Sequence, residues 1–236
     1  MKRFFERIAE KARDVSQSPI ITVAFGDSVT QGVMEHNFLD SRHVYHRVLQ
    51  SSLEDFFPNT TFSTINAGVS GGGLPQALER LDRDVIAYQP DLVLIAFGLN
   101  DSLMGEAGLS SFGEGLSSIV HRIREQSSAD IILLTPPFMA RKPSHRIHPE
   151  HLPMTDKILE TQNSGMLGRY ADEVRRVASQ YQVPLADIHK EWQRLARCDL
   201  DTDLWLINGL NHPDQRGHRL AAASIFHLLL KHRRPL

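Results

Sequence analysis

At 236 residues the chain can bury one sizeable core, and no Ser/Gly/Pro-rich or like-charge stretch divides it, so a single domain over residues 1–236 is expected. Lys plus Arg number 26 against 28 Asp plus Glu, a balance that gives no electrostatic basis for binding nucleic acid or an anionic membrane. The single cysteine, Cys198, excludes an intrachain disulfide; Met1–Glu10 lacks a signal-peptide pattern, and no run of about 18 apolar residues could span a bilayer. The expectation is a cytoplasmic protein without integral membrane contact.

In chain order, residues 1–18 read as an amino-terminal helix with charges every few positions. Short apolar, β-rich runs recur at 20–25, 62–66, 91–97, 130–135 and 183–187. Stretches with helical spacing separate them, such as Val44, Val48, Leu49, Ser52 and Leu53, then Ala77, Leu78, Leu81, Val85 and Ile86. Further helices are expected over 109–126, 157–181, 190–197 and 215–232. The run after Asp91 is wholly apolar through Phe97, as in a central strand covered on both faces. Pro136-Pro137 ends the fourth strand, and Pro143, Pro149 and Pro153 mark 138–153 as a long loop placed to meet substrate. Alternating strands and helices predict a three-layer α/β/α sandwich with a five-stranded parallel sheet, flavodoxin-like. The tail Lys231-His232-Arg233-Arg234 reads as a solvated helix terminus rather than a binding patch.

Four segments follow predicted strands or precede the last helix, where open parallel sheets keep their ligand crevices. In Gly26-Asp27-Ser28 the hydroxyl of Ser28 is a candidate nucleophile, which requires a base and donors for an oxyanion. Asn66-Ala67-Gly68-Val69-Ser70-Gly71-Gly72-Gly73 offers backbone N–H groups to an anion ahead of a helix opening near Pro75. Gly98-Leu99-Asn100-Asp101 can aim an amide donor into the crevice, although Asn-Asp is also common turn and cap chemistry. In Asn208-Gly209-Leu210-Asn211-His212-Pro213, proline restrains the backbone beside His212, a plausible base. His218 falls in the last helix and is expected to pack or cap.

In this order, across residues 26 to 218, the segments resemble the blocks of the SGNH hydrolases, also called GDSL-type esterases and lipases. The resemblance implies that Ser28 is the nucleophile and His212 the general base. It also implies an oxyanion hole from the Ser28 and Gly71 backbone N–H groups and the Asn100 amide, with no cofactor. The implied activity is hydrolysis of a small-molecule ester through an acyl-enzyme. Short-chain or acetyl esters, on a carbohydrate, are preferred over lysophospholipid or acyl-thioester substrates, because Arg141, Lys142, His145 and Arg146 make the 138–153 loop polar. One departure matters. The family usually carries an aspartate three residues before its histidine, where this chain has Gly209. A backbone carbonyl, Asn208, or a carboxylate such as Asp203 could orient His212, or a Ser-His dyad could work alone.

Three rival readings remain open on the sequence. Gly68-Val69-Ser70-Gly71-Gly72 fits the Gly-x-Ser-x-Gly nucleophile elbow, which would make Ser70 the nucleophile. A flavodoxin-like binding module could use Gly71 to Gly73 as an anion cradle, although no nucleotide-binding glycine spacing occurs. His145, His148 and His151, with Glu150, could hold a metal, but prolines argue against a shared helical face there, and no metal is expected.

Overall fold

A computed structural model describes residues 1–233. Its five strands are β1 (Ile20–Gly26), β2 (Phe62–Gly68), β3 (Leu92–Ala96), β4 (Asp130–Leu134) and β5 (Leu185–Ala186), all parallel and ordered β2-β1-β3-β4-β5. This is the flavodoxin-like order expected for alternating strands and helices. Side chains alternate across each strand, and so the sheet feeds two cores. Ile20, Ala24, Leu92, Leu94, Ile132 and Leu134 face a layer containing α1 (Lys2–Arg13), α3 (Tyr45–Phe56), α8 (Ile188–Arg197) and α9 (Gln215–His232). Val23, Phe25, Val93, Ile95, Ile131 and Leu133 face α4 (Leu74–Asp84), α5 (Glu106–Gln126) and α7 (Met166–Gln180). In β3, residues 92 to 95 are no more than 1% exposed, the burial that its unbroken apolar run demands.

Between β1 and α3 lies a four-residue helix, α2 (Ser28–Gln31), capped by the Asp27 carboxylate, which accepts from the Val29 N–H at 2.9 Å. The order of strands places β3 on the other side of β1 from β2. The carboxyl ends of β1 and β3 therefore border a switch-point crevice, the common ligand site of such sheets.

Several boundaries differ from the sequence reading. The helix expected over 157–181 is two helices, α6 (Leu152–Asn163) and α7, separated at Gly165, whose φ of +80° is the left-handed conformation. Apolar spacing continues across the break and conceals it. The 138–153 loop ends early: Pro149 opens a 3-10 turn (Pro149–His151) and Pro153 lies in the first turn of α6. Proline is tolerated there because the first helical N–H groups have no intrahelical acceptor. The fifth strand is cut to two residues because Asp187 caps α8, accepting from the Lys190 N–H at 3.2 Å. The amino-terminal helix stops at Arg13; the Lys11 ammonium then donates to the Gln17 carbonyl at 2.6 Å and closes the turn after it. Lys231, His232 and Arg233 are exposed at the end of α9, while Arg234 lies outside the described residues. No helix among the described residues is long and apolar enough to cross a membrane.

Candidate active site

Ser28, the first residue of α2, is buried at 3% exposure. Its Oγ lies 3.0 Å from Nε2 of His212, which the loop before α9 carries across the crevice. The other ring nitrogen, Nδ1, lies 3.0 Å from the main-chain carbonyl of Met34. A carbonyl only accepts, so Nδ1 holds the proton and Nε2 turns its lone pair toward the Ser28 hydroxyl. Of the orienting groups open on the sequence, the backbone carbonyl is the one in contact with the ring.

The two side chains proposed for that place are engaged elsewhere. Asn208 Oδ1 accepts from the backbone N–H groups of Leu210, Asn211 and His212, each at 3.0 Å, so it shapes the loop and leaves the imidazole alone. Asp203 accepts from the backbone and guanidinium of Arg141, both at 3.1 Å. Its carboxylate is committed to the 138–153 loop. Met34 could not be found from residue identity, because what it contributes is a main-chain atom. A small hairpin holds that carbonyl: residues Val33 and Leu39 form an antiparallel bridge, and the Met34 N–H donates to the Phe38 carbonyl at 2.9 Å.

Desolvation pushes the His212 pKa down to about 4; the Met34 hydrogen bond opposes this without cancelling it. Among the described residues no carboxylate contacts the ring, so the neutral form is favoured. Burial pushes Asp27 up to about 7, the backbone hydrogen bond from Val29 opposes that rise, and the nearby Asp101 charge adds to it.

The glycine and asparagine segments meet each other. Gly71 takes φ +71° in an exposed turn, a conformation that an L side chain rarely adopts. Asn100 Nδ2 donates to the Gly72 carbonyl at 3.0 Å, which sets the amide against the same turn with its second N–H free of that bond. Asp101 ties both segments down, accepting from Leu74 N–H at 2.8 Å and Gly98 N–H at 3.0 Å. Its carboxyl pKa is raised, chiefly by burial. The backbone N–H groups of Ser28 and Gly71 donate to no other described residue.

The remaining sequence candidates fall outside this arrangement. Ser70 is exposed, its backbone N–H donates to Gln31 Oε1 at 2.9 Å, and among the described residues no histidine partners its hydroxyl. His218 is buried in α9 and its Nδ1 accepts from the Tyr45 N–H at 3.3 Å, the packing role expected of it. Arg141 and Lys142 pair with Asp201 and Asp203, and Arg146 reaches the Leu204 and Leu206 carbonyls, so the cations of the polar loop are largely engaged by the 201–206 segment. His148 and Glu150 stand beside His36 at the loop's end, whereas His145 is exposed and apart from them.

Residues 24–220 match the model of the GDSL-like Lipase/Acylhydrolase family. No curated protein sequence matches the chain. Among solved structures, the fold is similar to an acetylxylan esterase from Geobacillus stearothermophilus, with TM-score 0.68, 19% identity, and coverage of 90% of this chain and 94% of that one. It is also similar to the lipase/acylhydrolase from Enterococcus faecalis, with TM-score 0.68, 24% identity and coverage of 92% and 98%. An alpha/beta hydrolase from the metagenome of Lake Arreo, Spain, superposes with TM-score 0.69 at 21% identity, covering 91% and 97%.

Proposed function

Because the chain belongs to the GDSL-like lipase/acylhydrolase family and is a carboxylic ester hydrolase, we propose that Ser28 and His212 form its catalytic dyad, oriented by the Met34 carbonyl. The observation that carries this reading is the chain of contacts from Met34 through the imidazole to Ser28 Oγ, each 3.0 Å long. Ser28 Oγ attacks the ester carbonyl while its proton passes to His212 Nε2. The carbonyl electron pair becomes an oxyanion facing the Ser28 and Gly71 N–H groups and the free N–H of Asn100. Collapse of that intermediate expels the alkoxide, which takes the proton from His212 and leaves an acyl-Ser28. Water then attacks the acyl-enzyme as His212 removes its proton, and Ser28 regains a proton as the acid departs.

Met34 replaces only part of a triad acid. Its carbonyl fixes the tautomer and ring orientation, but as a dipole it stabilises imidazolium less than a carboxylate does.

For substrate, acetyl or other short-chain esters on a carbohydrate are the first reading; the polar 138–153 loop supports it, as does similarity to a protein described as an acetylxylan esterase. A second reading, longer acyl esters, rests on exposed Phe38 and Leu39 in the hairpin and Leu152 and Met154 at the start of α6. The His36–His151 contact joins those two segments.

The test is labelling with a fluorophosphonate, mapped by peptide mass spectrometry. Modification should fall on Ser28, vanish in Ser28→Ala and persist in Ser70→Ala; the reverse pattern overturns the dyad. A panel of acyl esters beside acetylated sugars decides the substrate, since a preference for long chains would sink the acetyl reading.

A further inference from the structure

A second cluster of donors lies at the mouth of the site and takes no part in the hydrolytic steps. His36 comes from the Val33–Leu39 hairpin, and His148, Glu150 and His151 come from the end of the 138–153 loop. Ligand atoms of His36, His148 and Glu150 lie within 4.8 Å of one another. The His36 and His148 rings stack at 3.9 Å with their planes 4° apart.

Hydrogen bonding distinguishes the two His36 nitrogens. The Asn37 amide nitrogen, a donor only, stands 2.9 Å from His36 Nε2, so that atom carries the lone pair. The proton then sits on Nδ1, which faces His151 Nε2 at 3.3 Å. Metal-binding histidines are commonly held in this way, with the nitrogen remote from the ion donating to a fixed partner.

His36 Nε2 also faces Glu150 Oε2 at 3.5 Å. The Asn37 amide donates into that lone pair, and a cation held between the imidazole and the carboxylate takes the place of that hydrogen bond. Zinc bonds of about 2.0–2.1 Å in a tetrahedron set neighbouring ligands about 3.3–3.4 Å apart, close to the spacing of this pair. His148 Nδ1 accepts from the Glu150 backbone N–H at 3.3 Å, which leaves Nε2 as its ligand atom. Two imidazoles and one carboxylate suit a zinc-class ion better than magnesium or calcium, which favour all-oxygen sets, and water can complete the tetrahedron.

We propose that His36, His148 and Glu150 form a site for a zinc-class divalent cation that clasps the Val33–Leu39 hairpin to the Pro149–His151 turn. His36 is two residues from Met34, so the clasp steadies the strand segment whose carbonyl orients His212. The sequence offered only His145, His148 and His151 with Glu150, a grouping from which no metal is expected, because His36 is brought to the loop only by folding.

The test titrates chelator-stripped, full-length protein with cobalt(II), read by the visible absorption of tetrahedral cobalt, and with zinc, read by thermal melting. Expected are saturation at one ion per chain and a Tm rise of about 5–10 °C at zinc concentrations near 100 times Kd. Both signals should be lost in His148→Ala and in Glu150→Gln, the latter an exposed position where the substitution leaves packing untouched, and retained in His145→Ala. Absence of saturable binding overturns the proposal, as does binding of undiminished affinity in His148→Ala and Glu150→Gln. Ester hydrolysis by the stripped protein should persist, since the ion lies outside the reacting groups; complete dependence of turnover on zinc would overturn its assignment as a clasp.

Discussion

The pH dependence of hydrolysis tests the carbonyl-oriented base most directly. His212 acts as a base only when neutral, and its pKa lies at about 4 because desolvation outweighs the Met34 hydrogen bond. Its ordinary value is about 6.5. At pH 5 a base of pKa 4 is about 90% neutral, whereas one of pKa 6.5 is about 3% neutral, a difference of roughly 30-fold in competent enzyme. The acid limb of kcat/KM should therefore fall near pH 4, with activity almost level from pH 5 to 7. The assay is a pH-stat titration of a water-soluble acetyl ester, run beside circular dichroism at each pH. That control is needed because burial also depresses His46 to about 4 and His218 to about 3. The three neutral histidines bind fewer protons folded than unfolded, so stability declines as pH falls below about 6.5. Asp27→Asn removes the neighbouring carboxyl raised to about 7 and should leave the limb where it is. An acid limb near pH 6.5 in folded protein would refute the reasoning, since it would require a negative charge stabilising the His212 imidazolium.

Three further predictions separate the supporting roles. Asn100→Ala should lower turnover on the order of 10²-fold by deleting one oxyanion donor, with Tm nearly unchanged; unaltered kcat would remove Asn100 from the site. Asn208→Ala strips the acceptor shared by three backbone N–H groups around His212. It should cost about 1–3 kcal/mol by thermal or urea unfolding and slow hydrolysis about 10- to 100-fold through misplacement of the imidazole. Asp203→Asn, by contrast, alters only the Arg141 contacts and should leave kcat/KM within about 2-fold of the parent, since this carboxylate does not touch His212. A loss of several orders of magnitude there would restore Asp203 as a triad acid.

The sheet was legible because a buried parallel strand must be apolar on both faces, and 92–97 and 131–134 carry that pattern without interruption. The glycines at 26, 68 and 98 stand at or just past the ends of β1, β2 and β3. Helix boundaries were less legible. A break at Gly165 changes the course of the backbone without disturbing apolar spacing, and Pro149 and Pro153 open a 3-10 turn and a helix as readily as they extend a loop. Asp187, which looked like part of the last strand, instead ends it by capping α8.

Ser28, Asn100 and His212 could be named as candidates from local sequence, and Gly71 from the family resemblance, because a nucleophile, an amide donor, a base and an anion-facing turn each require particular side chains or a particular backbone freedom. What orients His212 could not. Its partner is the carbonyl of Met34, a group that every residue possesses, and only the hairpin after α2 decides that this one faces the ring. The same holds for the histidine cluster, in which His36 reaches the 138–153 loop across the folded crevice. Sequence determined the chemical inventory of this protein, since side-chain identity and period are local properties. Tertiary structure decided which groups touch, because main-chain acceptors and long-range neighbours acquire identity only from where the chain is folded.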